Sequence, residues 1–358
     1  MPTKKKRKTL PKDFEERLKS GADLASLQRV FETCEIDARG GYAHETALLM
    51  SNCPDDLARW LVTNGADVNA VDSYGRNALH IGARRLYKPR NLELLIKLGC
   101  HVGTRDHSGN SPLHAAVETK NQYAVKRLLA AGAEVNATNR DGLTPLEQGL
   151  CECSNSEIEP MVPVARALLK AGARRTLRMK DFVVSIGENF EFHRAAFAKD
   201  SVVATSKAML ALCQLFGVQP APRRVIHDGK SVIEVNTGTW QRQHEELWAL
   251  LVPSSGAAAT VQGEVIRISG RIGDEISRNG GMNWDADYTK MSRAFKEFIR
   301  EGQPLAENDL RTAGRIIDEI VEKRGAADRN YDRLPEFAVK WVRQNPQPFK
   351  LGKVAYKR

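Results

Sequence analysis

Three groupings of polar residues have the types and spacing that chemistry requires. The densest lies late in the chain, in Gln243-His244-Glu245-Glu246, Gln262-Gly-Glu264-Val-Ile-Arg267 and Arg278-Asn-Gly-Gly281-Met-Asn283-Trp284-Asp285. Carboxylates at 246, 264 and 285 on three helices are the raw material of a metal site in a helical bundle, and His244 would supply an acid–base group beside them. The same letters fit a plainer role, because Asn-Gly-Gly followed by Asn-Trp-Asp also reads as a helix stop, a turn and a new N-cap. A second grouping, Cys151-x-Cys153, has half the ligands of a structural zinc site and no second Cys or His pair nearby, so two free thiols in a loop are expected. A third is the basic run Lys4-Lys-Lys-Arg-Lys8, which suits a nuclear-localisation signal, an arm touching polyanions or a solvated tail. Neither a Gly-rich phosphate loop, a nucleophile elbow nor a dinucleotide fingerprint is found, and no cofactor is expected.

The elements that would position such groups are set by a repeat. Asp106-His-Ser-Gly109-Asn-Ser-Pro-Leu-His114 returns as Asp72-Ser-Tyr-Gly75-Arg-Asn-Ala-Leu-His80 and as Asp141-Gly142-Leu-Thr-Pro145-Leu146. The turn glycines are 34 and 33 residues apart, and each unit closes on a second glycine: Gly65, Gly99, Gly132 and Gly172. Pro112 and Pro145 fit the first turn of a helix, where a missing N–H leaves no bond unmade. Gly-Ala at each unit's end supplies a left-handed exit, and Ala124, Val125, Leu128 and Leu129 carry the helical apolar period between them.

This pattern resembles the ankyrin repeat family, whose units carry Thr-Pro-Leu-His at a period of 33 residues. The resemblance implies four stacked units over about residues 37–176, behind a helical N-cap formed by Phe14–Leu18 and Leu24–Phe31. It also implies that His80 and His114 bond neighbouring turns and do no catalysis. The first unit should have a shortened first helix, and the fourth carries an insertion around Cys151–Ser156.

From Leu177 the period stops and no family is recognised. Helices are expected at 182–197, 202–216, 239–252, 257–278, 285–301, 306–324 and 331–344, with a short hairpin at 224–235 turning on Asp228-Gly229. The expected fold is therefore mostly all-α: an ankyrin-repeat solenoid followed by a helical C-terminal domain with one short β-hairpin. Its expected divisions are a disordered basic tail at 1–12, repeats at 13–176, a helical domain at 177–337, and a last helix end with a basic tail at 338–358.

Charge narrows the choice of partner. The chain has 54 Lys+Arg against 44 Asp+Glu, a net +10, but residues 1–12 and 338–358 each hold six bases and no acid. The remainder is close to neutral, so any nucleic-acid contact should be weak, non-specific and confined to the tails. No segment has the apolar length of a membrane span, and six scattered cysteines fit a reducing compartment, cytoplasmic or, on the Lys4–Lys8 run, nuclear.

The resemblance implies a protein-binding adaptor acting through a concave face, with specificity in the variable positions. Those are Tyr42 and His44 in the first unit, Tyr74, Arg76, Arg84 and Arg85 in the second, and His107 and Asn110 in the third. With Lys88 and Arg90 close by, the second unit suggests an acidic patch on the partner. The rival reading is an enzyme whose site lies around His244, Glu246, Glu264 and Asp285.

Overall fold

The computed structural model describes residues 5–86, 91–325 and 329–357. It divides into two compact units, one of Met1–Phe190 with Ala198–Ala221 and one of Glu191–Phe197 with Pro222–Arg358.

The first unit opens on a small sheet. Strand β1 (Arg7–Thr9) pairs in parallel with β2 (Cys34–Gly40), which pairs antiparallel with β3 (Glu45–Thr46). The segment expected as a disordered tail is thus structured from Arg7 onward. Leu10 is buried and its N–H bonds the Arg39 carbonyl, while Lys6 Nζ donates to the Phe31 carbonyl at 2.6 Å. Helices α1 (Phe14–Lys19) and α2 (Leu24–Thr33) form the cap, where Phe14 meets Phe31 edge-on at 5.9 Å and Phe31 reaches Trp60 at 5.7 Å.

Helix pairs then stack. The first repeat has α3 (Asp55–Thr63) as its second helix; its first is reduced to one turn, closed by Leu49 N–H on the Thr46 carbonyl. The following pairs are α4 (Ala78–Ala83) with α5 (Leu92–Lys97), α6 (Pro112–Glu118) with α7 (Gln122–Ala130), and α8 (Pro145–Cys151) with α9 (Ile158–Lys170). Each first helix begins with a reciprocal capping box: Asn77 with His80, Ser111 with His114, and Thr144 with Glu147. That arrangement satisfies N–H groups that a buried helix start would otherwise orphan.

The stack continues past the last recognisable motif. Helices α10 (Leu177–His193) and α11 (Lys199–Phe216) follow, and α11 packs on α9 as α9 does on α7. Thr205 donates to Glu159 at 2.8 Å and Arg175 Nε to the Leu215 carbonyl at 2.9 Å. The division drawn between residues 176 and 177 therefore falls inside this unit, because the outer face of α9 is apolar and needs a covering helix.

The second unit is a bundle of α12 (Trp240–Leu251), α13 (Val261–Asn279), α14 (Ala286–Phe298), α15 (Glu307–Glu322) and α16 (Arg333–Gln344). Helix α13 is buried on every side along its first nine residues, and Trp341, Phe295 and Phe337 fill the core around it. Two expectations fail here. The hairpin at 224–235 does not form. The His227 N–H goes to the Leu250 carbonyl and the Ile233 N–H to Pro346, so the two arms bond other segments. Asp228 instead accepts from the N–H groups of Lys230 and Ser231, each at 2.8 Å, making a local turn with no ladder behind it. The C-terminal segment is also no free tail. Val261 N–H bonds the Phe349 carbonyl, Leu351 N–H bonds Ala259, and Tyr356 is buried.

Candidate functional site

The turn that begins the second, third and fourth repeats is built in each case by one side chain. Asp72 Oδ1 accepts from the N–H groups of Tyr74 and Arg76, both at 2.9 Å. Asp106 does the same for Ser108 and Asn110, and Asn139 for Asp141 and Leu143. Gly75, Gly109 and Gly142 follow at φ +78°, +77° and +70°, a region open to glycine. At Gly75 the space is taken as well, since a Cβ would meet His107 Cδ2 at 2.8 Å.

Successive turns are joined through the backbone. Ser73 N–H donates to the Ala43 carbonyl at 2.9 Å, His107 N–H to Tyr74 at 2.9 Å and Arg140 N–H to Ser108 at 3.0 Å. The result is a continuous ladder of hairpin tips whose side chains project outward. The buried histidines brace it from below: His80 Nε2 lies 2.9 Å from the Asn110 carbonyl, and His114 Nε2 lies 3.1 Å from that of Leu143. Burial holds both imidazoles below their ordinary range, His114 down to about 4. Their role is structural, as the resemblance implied.

The expected contact residues separate into two sets. Tyr42, His44, Tyr74, Arg76 and His107 come together along the ladder. Tyr42 is 91% exposed and Tyr74 43%, and the neighbouring Tyr42 hydroxyl pushes that of Tyr74 up. The Arg76 guanidinium lies 4.6 Å over the Tyr74 ring while its nitrogens pair with Asp72 at 2.7 and 2.8 Å. His44 sits at φ +51°, in the left-handed region, and Arg39 donates to both the His44 and Val71 carbonyls at 2.8 and 2.7 Å. Such a conformation costs on the order of 1–3 kcal/mol in a residue with a Cβ, and Arg39 is what over-determines it.

The other set is engaged within the molecule. Asn110 is only 8% exposed, and its Oδ1 accepts from Asn139 at 3.0 Å. Arg84 makes a two-pronged pair with Glu118, at 2.8 and 2.6 Å, and Arg85 reaches Asn52 at 3.2 Å. Lys88 and Arg90 lie outside the described residues. Of the four cations expected to make the second unit basic, Arg84 is thus met by a carboxylate and Arg85 by an amide oxygen. A signal for this stood in the sequence: Glu118 follows Arg84 by 34 residues, one repeat, which puts opposite charges at equivalent places on neighbouring units. Arg39 was missed for lack of such a partner in the pattern.

The rival site does not assemble. Glu264 is fully buried, accepting from Arg267 Nε at 2.9 Å, the Ala258 N–H at 2.9 Å and the Tyr356 hydroxyl at 2.9 Å. Asp285 is an N-cap, accepting from the N–H groups of Asp287 and Tyr288 at 3.0 Å each. Glu246 bonds Arg242 and Asn236. Only His244 of the four lines a cleft, of ≈ 700 Å3, beside Trp248, Arg271, Asp274 and Tyr288. Burial drops that imidazole to about 4, and it is hydrogen-bonded to Ser269 at 3.0 Å. Among the described residues no group of three or more His, Cys, Asp or Glu is placed to hold a metal ion. Cys151 is exposed, while burial pushes the Cys153 thiol up to about 12. Nor is any helix among those residues long and apolar enough to cross a membrane.

Comparison with known proteins agrees with the geometry. A family model described as ankyrin repeats, in three copies, matches residues 43–139 and 87–177. A fowlpox virus protein named for its ankyrin repeats is 36% identical over 97 residues, 26% of this chain and 28% of the relative. The mouse B-cell lymphoma 3 protein homolog is 34% identical over 135 residues, 35% of this chain and 30% of its own length. The human ankyrin repeat and SOCS box protein 6 is 35% identical over 124 residues, covering 34% and 29%. The chain thus spans under a third of each of these relatives. What they share with it is the repeat stack, and residues 43–177 of this chain are ankyrin repeats.

Proposed function

We propose that this chain is a protein-binding scaffold that captures its partner along the hairpin-tip ladder, with Tyr42, His44, Tyr74, Arg76 and His107 as the contact residues. The observation that carries this reading is two adjacent exposed tyrosines on a backbone-locked turn row, one of them stacked under a guanidinium. Tyr gives large contact area at small entropic cost, and Tyr and Arg are both enriched at binding hot spots. Because the guanidinium charge of Arg76 is already met by Asp72, the surface favours a partner with an apolar or aromatic patch and hydrogen-bonding edges over a strongly acidic one.

The test uses a photo-crosslinking residue in place of Tyr42 or Tyr74 in the full chain, with Arg59 as a remote control. In cell extract, adducts should form from positions 42 and 74 alone. Unlabelled wild-type chain should compete for them, and a Tyr42→Ala/Tyr74→Ala chain should compete far less, since hot-spot truncations cost about 2 kcal/mol or more each. Identical adducts from position 59, or undiminished competition by the double variant, would refute the assignment.

A further inference from the structure

On the side of the stack formed by the second helices, α7 and α9 border a groove of ≈ 750 Å3. Leu129, Val162 and Ala167 give it an apolar floor, and Lys126, Arg166 and Lys170 stand along its edges. These three cations are exposed, no carboxylate lines the groove, and none of the three has an ion pair among the described residues. The neighbouring cation of α7 behaves differently: Arg127 pairs with Glu93 at 2.5 Å and lies 5.3 Å from the centre of the Tyr123 ring. The stack therefore neutralises the charge that faces the preceding repeat and leaves the charge around the groove unmet.

We infer that this groove is a second docking surface, and that its occupant is an acidic amphipathic helix of a partner protein. The floor supplies the apolar contact that a helix lying in a groove needs, and the small side chain of Ala167 lets a backbone come close. Charge selects the sign of the occupant. Arg166 and Lys170 are four residues apart on α9, one turn, so carboxylates at i and i+4 on one flank of the incoming helix match them. Lys126, on α7, meets a carboxylate on the opposite flank. At 13 residues α9 is about 20 Å long, enough to seat a helix of roughly that length. Exposed ion pairs contribute little affinity each, so apolar burial holds the helix while the three cations fix its identity and direction. The proposal uses no hairpin-tip residue, and the Tyr42→Ala/Tyr74→Ala variant should leave it intact.

The experiment is a selection on the immobilised full chain. The probe is a displayed library of 14-residue peptides with Leu fixed at i, i+3, i+7 and i+10 and all other positions drawn from Glu, Lys, Gln and Ala. Recovered peptides should carry Glu at flanking positions one turn apart. They should bind a Lys126→Glu/Arg166→Glu/Lys170→Glu chain at least ten-fold more weakly, and Lys-for-Glu versions should bind that variant instead. Ala167→Trp, which fills the floor without altering charge, should also weaken binding ten-fold. Circular dichroism checks that both variants keep their helix content. Recovery without acidic bias, binding that survives either variant, or equal competition by polyglutamate or duplex DNA would overturn the proposal. So would charge-dependent capture of phosphatidylserine vesicles that Ala167→Trp does not affect, since a flat anionic surface needs no groove.

Discussion

His114 shows how a single protonation state supports the stack. Its Nδ1 accepts from the Ser111 N–H at 3.1 Å, so the ring must be neutral there, with the proton on Nε2 facing the Leu143 carbonyl. Burial lowers its pKa from 6.5 to about 4. The unfolded chain thus binds a proton that the folded chain refuses, and the contribution is complete above pH 6.5 and lost as pH falls toward 4. With His80 shifted in the same direction, the urea midpoint of the repeat unit should drop between pH 7 and pH 4. In His114→Gln that slope should be shallower; an unchanged slope would remove His114 from the account. Glycine offers a second comparison. Gly75 and Gly132 both have positive φ, +78° and +84°, but a Cβ at Gly132 meets nothing within 4 Å. Gly132→Ala should cost about 1 kcal/mol from backbone strain alone, and Gly75→Ala distinctly more, because His107 must also move. Equal losses in thermal melts would show the close approach to be unimportant. At this scale the sequence was legible where a residue's role follows from its own repeat, as with Gly75 in its turn or Pro112 in the first turn of α6. It was opaque where the partners are uncharged amides on neighbouring repeats, as with Asn110 and Asn139.

Among the elements, the strap formed by residues 345–356 makes the sharpest prediction. It is fixed to α13 at two levels. Gln262 donates to the carbonyls of Asn345 and Gln347 at 2.9 and 2.7 Å and accepts from the Phe349 N–H at 3.0 Å; lower down, Tyr356 closes over Glu264 and Arg267. Arg267→Met should destabilise the second unit by about 3–5 kcal/mol, because it leaves the Glu264 carboxylate buried without its counter-charge. Tyr356→Phe removes one hydrogen bond to that carboxylate and should cost roughly 1.5–3 kcal/mol. Denaturant titration of both variants tests the order; a Tyr356→Phe loss as large as that of Arg267→Met would put the closure in the strap and not in the ion pair. The helices themselves were readable within a few residues at most ends, since a cap such as Asp285 announces them, while the start expected at 257 lies at Val261, behind the Thr260 cap. The 224–235 hairpin misled because Asp-Gly between apolar residues makes a turn whether or not a ladder follows. The strap was hidden because its lysines mark it as solvated, while its anchors, Phe349 and Tyr356, are two residues in a basic segment.

At the scale of the whole molecule, the repeat stack needs its two unrecognised helices. Removing α10 and α11 would expose the side of α9 against which α11 packs, so a fragment of residues 1–221 should melt cooperatively and at a higher temperature than one of residues 1–176. Equal midpoints would make α10 and α11 dispensable. No repeat period reached these helices, because α11 uses the stacking surface without the turn motif that defines the family. The ladder of tips carries a further consequence. Its spacing is set by peptide groups bonded to peptide groups, at Ala43–Ser73, Tyr74–His107 and Ser108–Arg140, and owes nothing to the side chains it displays. It works as a ruler graduated in whole repeats. Side chains at the graduations are free to change without moving the marks, whereas a residue inserted within one tip would throw every later mark out of step with the partner.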